Sequence, residues 1–103
     1  MMFQKRKPYR NQKILDSAEG EECTLQTEWC NGDSSTVVAC HSNWSEDGKG
    51  KGQKADDLYV AYGCSECHRW LDEGSASRQE KREVFHVGMK RTWRRIVDKQ
   101  VLK

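Results

Sequence analysis

Residues 64–74 read CSECHRWLDEG. Two cysteines separated by two residues open the stretch, and a histidine follows at once. Cys-x-x-Cys is a half-site for tetrahedral zinc, because two intervening residues let both sulfurs converge on one ion. The rest of the stretch has the look of a short helix closed by Gly74. A metal half-site and a histidine therefore share the start of one helix.

The second half of a zinc site lies upstream. CTLQTEWCNGD places Cys23 and Cys30 before an Asn31-Gly32 turn signal, and a tight turn is what a zinc knuckle needs. Cys23, Cys30, Cys64 and Cys67 are the expected ligands of a structural zinc. Two other readings of the thiols are open: a redox Cys-x-x-Cys, which would want a thioredoxin-like βαβ pattern that is missing, and reduced core cysteines. A Cys3His site that includes His68 is a further alternative. Cys40, the fifth cysteine, reads as a small buried hydrophobe.

Between the half-sites, SSTVVACHS reads as a strand ending in His41, and DLYVAYG as a second strand. The polar stretch NWSEDGKGKGQKADD joins them. With glycines at 48, 50 and 52 around Lys49 and Lys51, it reads as a mobile loop, with Asp56 in solvent. Upstream, NQKILDSAEG suggests a short helix ending near Gly20. Downstream, Ser77 and Glu80 fit a capping box. Phe85, Met89, Trp93, Ile96 or Val97, and Val101 then recur at helical spacing, so residues 78–100 are expected to be an amphipathic helix. Gly88 inside it suggests a bend.

The chain has 103 residues, 35% hydrophobic and 33% charged, so it makes one small domain with a thin core that a metal staple would support. No signal-peptide pattern and no apolar run of membrane-spanning length is visible, so the reading is a soluble, cytoplasmic protein in a reducing compartment. There, clustered Cys and His favour metal over disulfides. The net charge of +2 hides an uneven spread. Residues 1–13 read as a flexible basic arm and 14–103 as the domain. Arg91, Arg94, Arg95 and Lys99 form a basic stripe on the last helix. Basic ends around a neutral middle suit a phosphate-backbone partner, although lysines and arginines also simply solvate a helix face. Trp29, Trp44, Trp70 and Trp93 read as core before base-stacking groups, and Trp44, set in the polar loop, is the candidate among them to touch nucleic acid.

The order of elements (knuckle, strand ending in His41, loop, strand, Cys-x-x-Cys-His, helix) resembles the HNH, or ββα-metal, endonucleases clamped by a four-cysteine zinc. VACHSN, KGKGQKADDL and CSECHRWLDEG look like segments of the small phage and prophage family of HNH-like nucleases related to the RecA-dependent nuclease of phage P1. The resemblance covers roughly residues 20–75, with the ββα core at about 35–75. It implies an α+β, zinc-stapled ββα-metal domain carrying a C-terminal amphipathic helix. It implies a metal-dependent DNA endonuclease of phage origin, acting in the bacterial host cytoplasm with a RecA-type recombinase as a possible partner. His41 would be the general base, a role suited to imidazole near neutral pH. Asp57 would hold its ring. His68 and Asp72 would bind a catalytic Mg²⁺ or Mn²⁺, and Lys49, Lys51 and Lys54 would hold DNA phosphates with Arg91, Arg94 and Arg95. The pattern departs from the family in two places. Cys40 stands where an acid or histidine is common, and Asp72 where a second histidine is common. The competing reading is a zinc-stabilised module that binds DNA or a phage protein without chemistry. A weaker one is a structural dimer joined through the long helix.

Overall fold

A computed structural model describes residues 8–50 and 52–101. It is a small α+β fold. Helix α1 spans Gln12–Asp16, strand β1 Val38–His41, strand β2 Val60–Gly63, helix α2 Ser65–Glu73 and helix α3 Arg78–Asp98. Short 3-10 turns at Ser34–Thr36 and Ser45–Asp47 flank β1.

The strands pair antiparallel, with Val38 opposite Gly63 and His41 opposite Val60. Side chains alternate across β1, so Cys40 is buried while His41 on the other face is only partly covered. All of β2 is buried. Among the described residues its outer edge has no further strand, yet its polar groups are met. The Tyr62 N–H donates to Thr92 Oγ1 at 3.0 Å, and the Tyr62 carbonyl accepts from the Thr24 N–H at 2.8 Å. An α3 side chain and the segment that starts at Cys23 thus do the work of a neighbouring strand.

α3 starts where its capping residues say. The Glu80 N–H donates to Ser77 Oγ at 3.0 Å. Its buried residues are Phe85, Gly88, Met89, Thr92 and Ile96. Trp93 and Val97, expected on the core stripe, are 40% and 64% exposed. The buried line bends toward Gly88 and Thr92 because those two positions touch the chain most closely. A Cβ on Gly88 would lie 3.0 Å from Leu25 Cδ2 and 3.2 Å from the Thr24 carbonyl. Gly88 therefore marks a close approach and not the expected bend. Gly74 closes α2 for a similar reason. Its φ of −65° is open to any residue, but a Cβ there would meet the Trp70 carbonyl at 2.6 Å.

Other expectations need correction. Residues 1–7 of the arm lie outside the described residues, but Tyr9 to Asn11 are bound to the domain. The Tyr9 N–H donates to Asp56 Oδ1 and the Asn11 N–H to Asp57 Oδ2. The loop is polar yet partly folded in, and Ala55, Asp56 and Asp57 are all buried. Trp44 is 3% exposed and packs on Phe85, so it belongs to the core, whereas Trp29 is 59% exposed. No helix among the described residues is long and apolar enough to cross a membrane.

Candidate active site and cysteine metal centre

The four expected zinc cysteines meet. Cys23, Cys30, Cys64 and Cys67 present sulfurs that all lie within 4.8 Å of one another, and the Cys30 and Cys64 sulfurs are 3.9 Å apart. Zinc with bonds near 2.3 Å needs edges of about 3.8 Å between ligands, so the cluster fits that ion with little adjustment. The local chain builds it. Gly32 takes a φ of +68° after Cys30, and the Cys30 N–H closes a turn on the Thr27 carbonyl. Cys64 caps α2 and accepts from the Cys67 N–H at 3.5 Å. Burial alone would raise the Cys64 thiol, but backbone N–H groups of Cys67 and Asn31 bring it down to about 7. Burial pushes the Cys67 and Cys30 thiols the other way. Four crowded sulfurs of this kind become thiolates together only when a cation shares the space.

His68 stays outside this cluster. Cys67 joins the sulfurs, while His68, one residue on, lines the open cleft instead. There its Nε2 lies 3.3 Å from Asp72 Oδ2, one helical turn away. Asp72 Oδ1 accepts from Asn43 Nδ2 at 3.1 Å. Asn43 was not singled out from the sequence. Its position two residues past His41, on the same side of the chain, was the available signal.

His41 Nε2 lies 2.7 Å from Asp57 Oδ1. Asp57 is 2% exposed. Burial opposes its charge, but the His41 hydrogen bond, the Asn11 N–H and the Arg10 guanidinium outweigh it and hold the carboxyl below its usual range. An ionised Asp57 only accepts, so His41 is the donor, from Nε2. Arg10 and Asn11 were invisible as site residues in the sequence, since they act on a carboxylate more than forty positions downstream.

One open cleft of about 610 Å³ takes in His41, Asn43, His68 and Asp72, with Lys49 and Lys54 also lining it. Lys51 lies outside the described residues. Arg91, Arg94 and Arg95 do not line the cleft. Arg91 donates to the Thr24 carbonyl, Arg95 pairs with buried Glu21 at 2.8 Å, and Arg94 pairs with Asp98 at 3.2 Å. Cys40 faces the core, where burial pushes its thiol up to about 12, so it is no ligand for a cleft metal.

A family model described as "Putative nuclease YbcO" matches residues 12–101. The chain belongs to the YbcO family. The match begins at the first residue of α1 and takes in both strands, all three helices, the four clustered cysteines and the cleft. The chain is also similar to a solved structure described as "a putative bacteriophage protein from Escherichia coli str. K-12 substr. MG1655". The TM-score is 0.65 at 27% identity, over 84% of this chain and 98% of that one. No curated protein matches. In this YbcO-family chain, α2 thus carries Cys67 into a cysteine cluster that could hold a metal ion and His68 into the cleft.

Proposed function

We propose that this YbcO-family chain is a metal-dependent DNA endonuclease of the ββα, HNH-like type. One observation carries the reading. His41 and the His68–Asp72 pair line a single cleft, and buried Asp57 is bonded to the rear nitrogen of His41. A hairpin leading directly into α2 supports the same reading, since it brings the strand-end histidine and the first-turn histidine to one cleft.

The chemistry follows from the donors. His41 Nδ1 takes a proton from a water, and the resulting hydroxide attacks the phosphorus in line with the 3′ oxygen. The P–O3′ bond breaks, leaving a 5′ phosphate and a 3′ hydroxyl once the leaving oxygen gains a proton. Asp57 acts through His41 as a positioning residue: it fixes the tautomer and stabilises the imidazolium that forms. His68 and Asp72 offer one nitrogen and one carboxylate, a donor set that suits Mg²⁺ or Mn²⁺. When bound, such an ion supplies polarisation of the phosphate and charge relief at the leaving oxygen. Asn43 keeps the Asp72 carboxylate turned into the cleft. Lys49 and Lys54 hold phosphates of the strand. The same reading places the protein in a bacterial host, encoded by a phage or prophage, with a RecA-type filament as the partner that presents DNA.

Nicking of supercoiled plasmid with Mg²⁺ or Mn²⁺, with and without RecA filaments, tests this. Wild type and His41→Ala are compared after both are shown to be folded and to hold equal zinc. Loss of metal-dependent cutting by about 10² to 10⁴ in the variant is expected for a general base. Wild type that binds DNA but never cuts it would make the chain a binding module instead.

A further inference from the structure

We propose that the nucleic-acid path continues from the His41 cleft into a second pocket at the start of α3, where Arg78 and Lys81 hold a backbone phosphate. This rests on the nuclease reading above. The second pocket, of about 340 Å³, shares Asn43 and Asp72 with the larger cleft, so the two are continuous across the carboxylate expected to face the scissile phosphate. Arg78 and Lys81 line it, and Trp44 forms part of its wall.

The charge distribution favours this direction. Among the described residues, neither Arg78 nor Lys81 has an ion-pair partner, and neither do Lys49 and Lys54 in the first cleft. Unpaired cations thus stand on both sides of the row His41, His68, Asp72. The stripe further along α3 is different, because its arginines are engaged with Thr24, Glu21 and Asp98. A phosphodiester chain is drawn to cations that need not leave a partner first. A strand crossing the first cleft and leaving past Asp72 would run directly onto Arg78 and Lys81. Both are also close to the metal-binding carboxylate, so a phosphate held there fixes the register of the one being cut.

The test is binding of a fluorescent DNA duplex to the zinc-loaded full chain in Ca²⁺, read across 50 to 200 mM salt, beside plasmid cleavage in Mg²⁺. Arg78→Ala with Lys81→Ala is expected to weaken binding about tenfold or more and to lower the salt slope by roughly 1 to 2. KM for cleavage should rise with kcat unchanged. The charge-keeping pair Arg78→Lys with Lys81→Arg should restore binding, which separates lost charge from lost fold. Lys90→Ala, on the exposed face of α3 and outside both pockets, should stay within about twofold of wild type. If the double alanine variant cuts and binds like wild type, with the same salt slope, the inference fails while the nuclease reading stands. A wild-type chain that neither binds nor cuts would remove the nuclease reading and the inference together.

Discussion

His41 Nε2 and Asp57 Oδ1 stand 2.7 Å apart, although the two residues come from opposite sides of the loop that joins the strands. The contact orders both partners. Asp57 gains a donor for its buried charge, and His41 gains a fixed ring.

Asp57→Asn is expected to lower kcat for plasmid nicking by about tenfold to 10³ with KM little changed. The amide cannot accept from both His41 and the Asn11 N–H without turning its NH₂ on one of them, so stability should also fall by about 1–3 kcal/mol. Arg10→Ala provides the control. It loosens the same carboxylate by removing a contact of 3.3 Å, yet leaves the His41 bond in place. A variant at Asp57 with full kcat would show that the pair is structural.

Zinc content by elemental analysis should be one ion per chain. Cys64→Ser or a strong chelator should remove it and abolish the cooperative melt, because structural zinc contributes on the order of 10 kcal/mol in small domains. Cys40→Ala should keep the ion, since Cys40 is buried in the core apart from the cluster. Loss of zinc from the Cys40 variant would mean that the ligand set is misassigned.

Gly88→Ala sets two effects against each other. Alanine favours a helix interior over glycine by about 1 kcal/mol. The added methyl would press on Leu25 Cδ2 at 3.0 Å and on the Thr24 backbone at 3.2 Å, and backbone does not yield cheaply. A net loss of about 1–2 kcal/mol in denaturant melts is expected. A gain would show that α3 has room to move off β2.

Glu21 gives the fold an acid-sensitive tie. It is buried and accepts from Arg95 Nη2 at 2.8 Å and Lys99 Nζ at 2.9 Å. Burial pushes its pKa up, but the two cations prevail and hold it below the usual value. A carboxyl with a depressed folded pKa stabilises the fold above its unfolded pKa of about 4.3, and that contribution disappears as pH falls through the folded value. Glu21→Gln should therefore cost about 1–2 kcal/mol at pH 7. The gap from wild type should shrink below about pH 5 and close in stronger acid. A gap that is constant with pH would mean that the side chain matters for packing and not for charge.

Local chemistry made much of the framework legible. The Ser77 cap, the Cys-x-x-Cys at a helix start, the β-branched run into His41 and the Asn31-Gly32 turn are all set by neighbours a few residues away. Each appears where its spacing puts it. The convergence of Cys23 and Cys30 with Cys64 and Cys67 was also readable, because four thiols in a small chain have few other uses.

By itself, then, the sequence determined the order of elements, the four cysteines that cluster and the two histidines worth watching. Only the tertiary structure decided which charges are free and which polar groups are buried. Arg95 and Lys99 looked available on a helical face, but Glu21, more than seventy residues upstream, neutralises them. Asp56 looked like loop surface, but Tyr9 folds over it and it is buried. Trp29 read as core, but it stands 59% exposed. The reason is the same in each case. Periodicity and spacing report a residue's own element, whereas desolvation and charge pairing depend on segments that meet it only after the chain has closed.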